Sequence, residues 1–131
     1  MSKSQLVEEE VHFDSLEGNL IGDPADRSIL IYLPASYEVS PQKRYPVVYL
    51  LHGAGANNLV WVGKSFFNYY GDFNLGMVLD RLIAEDKIRE MIVVMPDANT
   101  TFMGNWYVNS SVLGNYQDTQ GKLVPTSSAQ V

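Results

Sequence analysis

The chain has 131 residues, the size of one domain, and its 46% hydrophobic content is enough for a core and too high for intrinsic disorder. A net charge of −6, with nine scattered Lys and Arg, gives no electrostatic drive towards nucleic acid or an anionic membrane surface. There is no cysteine, so disulfides, thiolate nucleophiles and thiolate metal sites are excluded.

The first ten residues carry one lysine and three glutamates without the apolar run of a signal peptide. No stretch approaches the ~20 apolar residues of a membrane span. A soluble protein without membrane partners is expected, with the cytoplasm favoured. From Val7 to Ser15, β-branched residues are mixed with charge, as in a half-exposed strand. Leu16 to Arg27 holds Gly18, Asn19, Gly22, Asp23 and Pro24 and reads as turns. Ser28 to Leu33 is a second strand, stopped by Pro34, and a polar loop follows to Arg44. Tyr45 to Leu51 (Tyr-Pro-Val-Val-Tyr-Leu-Leu) is apolar without alternation, as in a strand buried on both faces.

That strand ends at His52-Gly53-Ala54-Gly55. An aromatic connector follows, with Trp61, Phe66, Phe67, Tyr69 and Tyr70. Asn74 is a plausible N-cap for a helix running to near Lys87, whose stripe is Leu75, Val78, Leu79, Leu82 and Ile83. Met91 to Met95 is another continuous apolar strand, stopped by Pro96. Beyond it Gly104, Trp106, Asn109 and Gly114 follow no period. From Thr119 the chain is polar and small, and residues 119–131 read as a disordered tail behind a domain of residues 1–118. Two leading strands, then a strand–helix–strand unit, predict an α/β fold with an antiparallel front and a parallel continuation.

The turn after the strongest strand is the best place for chemistry. Its small residues permit a sharp turn at the carboxyl end of a parallel strand, where backbone N–H groups meet developing negative charge. Two rival motifs are incomplete. Gly53-Ala54-Gly55-Ala56-Asn57-Asn58 has Asn58 where a dinucleotide fingerprint needs its third glycine. Gly63-Lys64-Ser65 copies the end of a P-loop, but Asn58 again replaces the first glycine. His52 ends a buried strand, where its ring is better placed to hold the turn than to act as a base. Asp97 follows Pro96 at another strand end and reads as a turn cap. Trp61, Phe66, Tyr69, Tyr70, Trp106 and Tyr107 wall an acyl or aryl pocket in one reading and pack a core or lid in another. None of the eleven serines sits in the G-x-S-x-G elbow of a serine hydrolase; Ser65 has Gly63 before it but Phe67 after it.

Several segments together resemble the esterase D family within the α/β-hydrolases, which includes S-formylglutathione hydrolases, feruloyl esterases and the antigen 85 mycolyltransferases. They are Asp23-Pro24-Ala25-Asp26-Arg27, Ile31-Tyr32-Leu33-Pro34, Arg44 to Gly53 (Arg-Tyr-Pro-Val-Val-Tyr-Leu-Leu-His-Gly) and Met91 to Asp97 (Met-Ile-Val-Val-Met-Pro-Asp). Leu79 to Glu85, Tyr107 to Ser110 and Gly114 to Asp118 extend the likeness, which runs from about Leu16 to Asp118. The resemblance implies the N-terminal part of an α/β-hydrolase fold and a Ser-His-Asp/Glu esterase without a cofactor or metal, acting on a small acyl ester. It implies that Ala54 gives one backbone N–H to the oxyanion hole, with Gly55 beside it and His52 and Gly53 as structural neighbours. Trp61, Asp97 and Trp106 are the candidate pocket residues from the reading of the residues themselves. The nucleophile, acid and base are expected outside these residues, so the chain is expected to be truncated and inactive alone. In the family sheet the strand ending at His52 would then lie at an open edge, and self-association through Tyr45 to Leu51 is expected. The competing expectation is a non-catalytic module that binds a ligand or partner on the same fold.

Overall fold

The computed structural model describes residues 3–64 and 70–123. The connector residues Phe66, Phe67 and Tyr69, and the end of the expected tail, 124–131, lie outside the described residues.

Four strands form one mixed sheet in the order β1-β2-β4-β3. β1 (Gln5–His12) runs antiparallel to β2 (Asp26–Leu33), with Gln5 opposite Leu33 and His12 opposite Asp26. β2 runs antiparallel to β4 (Ile92–Pro96), and β4 runs parallel to β3 (Val47–Tyr49). The antiparallel front and parallel continuation therefore follow the sequence pattern. Every β4 residue is buried, as its unbroken apolar run requires.

β3 departs from the expectation of burial on both faces. Its ladder covers three residues, and Val48 and Leu51 are 38% and 43% exposed. The reason is position. Among the described residues β3 has a neighbour only on the β4 side. Pro46 accepts from Ile92 N and Leu50 N donates to Val94 O, so by alternation the backbone groups of Val47 and Tyr49 point to the open side.

Sheet alternation sorts the core into two layers. Ile29, Ile31, Ile92 and Val94 meet Phe13, Leu16, Tyr45, Ala98 and Tyr116 on one face. Leu30, Tyr32, Val93 and Met95 meet Val62, Leu75 and Leu79 on the other. Leu75 and Leu79 belong to α1 (Leu75–Ala84), which Asn74 caps by accepting from Met77 N at 3.1 Å. α1 stops before Lys87 because Asp86 takes a left-handed conformation (φ 54°). Asp86 N then bonds Ile83 O and Lys87 N bonds Leu82 O, which closes the last turn as a Schellman motif. No helix among the described residues is long and apolar enough to cross a membrane.

The chain beyond β4 is more ordered than the sequence suggests. β5 (Asn109–Ser110) and β6 (Gly114–Asn115) pair as a small hairpin, and α2 (Tyr116–Leu123) follows. The expectation of disorder from Thr119 is thus corrected as far as Leu123. Gly114 has φ 113°, and a Cβ there would stand 3.0 Å from the Leu16 side chain, so glycine lets the hairpin close on the core. α2 is held by partners distant in sequence. Tyr116 is 1% exposed in the first core layer, Tyr49 Oη donates to Leu123 O (2.8 Å), and Lys122 Nζ donates to His12 O (2.9 Å).

His12 closes the front of the sheet. Its Nδ1 lies 2.6 Å from Asp26 Oδ1 and its Nε2 lies 2.5 Å from Glu17 Oε1. Both nitrogens face carboxylates, so both donate when the ring is charged. The Asp26 bond first, and the Glu17 bond second, raise the ring above its ordinary 6.5. A raised folded value means that the stabilisation is complete below 6.5 and fades as pH rises through the folded value. An NMR titration of the His12 ring should give a midpoint above 6.5 that drops in Asp26→Asn. A midpoint at or below 6.5 in the unmodified chain would contradict this arrangement.

Candidate functional site

Parallel pairing brings the carboxyl ends of β3 and β4 to the same edge of the sheet, the place where open α/β sheets bind ligands. β3 leads into His52-Gly53-Ala54-Gly55 and β4 into Asp97-Ala98-Asn99. A cleft of about 250 Å³ opens there, lined by the 52–54 turn, Ala98 and the 102–107 segment.

His52 bolts the two strand ends together. It is 4% exposed, its Nε2 accepts from Ala98 N at 2.9 Å, and its Nδ1 donates to Gly53 O at 3.0 Å. Both ring nitrogens are committed, the arrangement of a ring that holds a turn. Asp97 Oδ1 lies 3.6 Å from His52 Nε2, beyond hydrogen-bond length, and instead accepts from Asn99 N at 2.9 Å. This is a turn cap. Burial pushes the Asp97 carboxyl up, but the Asn99 amide and the Arg27 charge help to hold the group below the usual carboxylate range.

The 52–55 turn is braced from the opposite loop. Gly55 (φ 75°) donates its N–H to Met103 O at 2.7 Å. That bond makes Gly55 a strut between the turn and the loop. Gly104 packs against Ala54, with a notional Cβ 3.6 Å from Ala54 Cα. Tyr107 Oη donates to His52 O at 2.6 Å. Burial first, and the nearby Asp97 charge second, push the Tyr107 phenol up, so it stays a donor across the working pH range. Tyr107→Phe removes this brace and leaves a partly buried carbonyl without its partner. A loss of about 1–2 kcal/mol in urea unfolding is expected; no loss would show that water replaces the hydroxyl.

The bracing loop is itself strained. Met103, Trp106 and Tyr107 all have positive φ (66°, 59° and 55°), a region that bulky residues rarely enter. Each such residue costs of order 1–3 kcal/mol and persists only where its surroundings dictate it. The surroundings here are visible. Thr100 Oγ1 donates to Gly104 O at 2.8 Å and accepts from Gly104 N at 3.1 Å. Asn105, 5% exposed, donates to Ala98 O at 2.5 Å and accepts from Tyr107 N at 2.7 Å. The loop thereby projects Trp106 into solvent, 90% exposed, on the rim of the cleft.

Of the residues singled out in the sequence, His52, Gly53, Ala54, Trp106 and Tyr107 meet at this cleft, with Asp97 just behind it. Trp61 does not line it. That side chain stacks on Tyr70, with ring centroids 5.5 Å apart, and packs towards the α1 layer. Thr100 and Asn105 escaped sequence reading because isolated Thr and Asn in a loop carry no periodic signal. Among the described residues no serine lines the cleft, and His12 is engaged two strands away by Asp26 and Glu17.

Three comparisons bear on this geometry. A family model described as a putative esterase matches residues 24–123. The endo-1,4-beta-xylanase/feruloyl esterase of Xylanibacter ruminicola is 41% identical over 70 residues, which is 50% of this chain and 8% of that protein. A solved ferulic acid esterase superposes with a TM-score of 0.71 at 26% identity, covering 93% of this chain and 42% of its own. A mutant of the feruloyl esterase module from Clostridium thermocellum, complexed with sinapinate, superposes with a TM-score of 0.52 at 27% identity, covering 70% of this chain and 26% of its own. The chain thus spans under half the length of each of these relatives.

Proposed function

We propose, from the premise that the chain belongs to the putative esterase family, that it is the oxyanion-side portion of a serine carboxylic-ester hydrolase. The observation that carries this reading is the braced His52–Gly55 turn at the joint carboxyl end of β3 and β4. In the reaction a serine attacks the ester carbonyl, and the Ala54 N–H is one of the donors to the oxyanion that forms. His52, with both nitrogens engaged, positions the turn and moves no proton. None of the serines among these 131 residues sits in an elbow motif.

Feruloyl esterase relatives, one of them holding sinapinate, support an aromatic acyl ester as the substrate class. The test is a chimera in which residues 24–123 replace the matching segment of the Clostridium thermocellum feruloyl esterase module. The chimera is expected to hydrolyse methyl ferulate, whereas the 131-residue chain alone is expected to release no p-nitrophenol from p-nitrophenyl acetate. A folded chimera without turnover, or turnover by the chain alone that a serine-directed phosphonate abolishes, would overturn the proposal.

A further inference from the structure

The most conspicuous apolar feature outside the core is the rim formed by Phe102, Met103 and Trp106, which are 66%, 50% and 90% exposed. Exposed apolar side chains are ordinary when scattered. These three fall within one five-residue stretch, line one cleft, and stand on a loop whose backbone is strained at Met103 and Trp106. Trp106 is a bulky residue held in the left-handed region with its side chain facing solvent at the cleft. The strain is maintained by Thr100 and Asn105, which fix the loop from within.

We infer that this loop is an aryl-recognition wall, with Trp106 as its stacking face, for the planar aromatic part of a neutral ester. The cleft volume of about 250 Å³ accommodates a single substituted ring rather than a fused or polymeric ligand. Among the described residues no Asp, Glu, Lys or Arg side chain lines it to neutralise a charged ligand. The chain's net charge of −6 further disfavours a free carboxylate over its ester. An indole offers an aromatic ring offset stacking, and Phe102 and Met103 add apolar and sulfur–ring contacts. Because Gly104 of this loop packs on Ala54, a ring held by Trp106 lies beside the turn assigned to the oxyanion. The word ester rests on the proposed function; recognition of the ring does not.

The test uses the full chain labelled with 15N. Its two tryptophans give two indole N–H signals, and Trp106→Gly identifies one by its loss. Methyl ferulate is expected to shift the Trp106 signal saturably, while methyl acetate and xylobiose leave it in place. Trp106→Gly relieves the positive φ, so it is expected to hold or raise the melting temperature while weakening methyl ferulate binding at least tenfold. That pairing separates ligand contact from a merely structural role. A Trp106 signal that ignores methyl ferulate, or answers xylobiose instead, would overturn the inference. So would undiminished binding in Trp106→Gly. In the chimera the two ideas fail separately. Turnover that keeps its preference for feruloyl over acetyl esters in Trp106→Gly sinks the aryl wall and leaves the esterase reading. A dead, folded chimera whose Trp106 still binds the aryl ester does the reverse.

Discussion

In the chimera described above, Ala54→Pro lowers kcat about 100- to 1,000-fold while KM for methyl ferulate changes little. Proline has no backbone N–H, so the substitution deletes a donor without adding charge or much volume. A donor that acts on the oxyanion bonds more strongly to the transition state than to the ground-state carbonyl, and its loss therefore falls on kcat. Ala54 is exposed in the turn, so no core packing is lost. Ala54→Gly keeps the N–H and serves as the matched control, with kcat expected within a few-fold of the parent. Circular dichroism and the melting temperature of each variant establish that the turn's braces, Tyr107 to His52 and Gly55 to Met103, have survived. Equal losses in the two variants would assign the effect to loop mobility and remove Ala54 from the oxyanion hole.

The parts of the fold legible in the sequence are those with short-range causes. β2 and β4 are continuous apolar runs ended by Pro34 and Pro96, and both form within a residue or two of their expected limits. α1 begins at the Asn74 cap that its sequence advertises. It ends early because Asp86 adopts a left-handed conformation that Asp tolerates but does not announce. β3 was legible as a strand but not in its length, because ladder length depends on neighbours and its outer side is open. In the site, the glycines and Ala54 marked the turn, and His52 stood out by its place at the end of the longest apolar run leading into it. What supports the turn was not readable. Tyr107, Asn105 and Met103 reach it only after the chain has passed through β4, about fifty residues later. Trp61 and Trp106 look alike in sequence, and only the folded loops send one towards the α1 layer and the other to the rim.

α2 is the plainest case of tertiary contact deciding local structure, and Tyr116 is where that contact concentrates. The helix has eight residues and carries Gly121 in its interior, too short and too poor in propensity to hold alone in water. Tyr116 supplies what propensity lacks. Its ring is 1% exposed among Phe13, Leu16 and Ile92, and the Arg27 guanidinium lies 5.7 Å above it. Tyr116→Ala should therefore cost about 3–5 kcal/mol in denaturant unfolding and reduce helical ellipticity, as α2 releases from the sheet. The hydroxyl tells a different story. Tyr116 Oη is buried without a hydrogen-bond partner among the described residues, and burial is what raises its phenol. Tyr116→Phe removes that orphan group and keeps the ring, so stability should be unchanged or rise by up to ~1 kcal/mol. The pair discriminates between two accounts of the anchor. If ring burial holds α2, alanine destroys it and phenylalanine does not. If Tyr116→Phe also costs more than about 1 kcal/mol, the hydroxyl has a partner in solution, and polar bonding shares in holding α2 to the sheet.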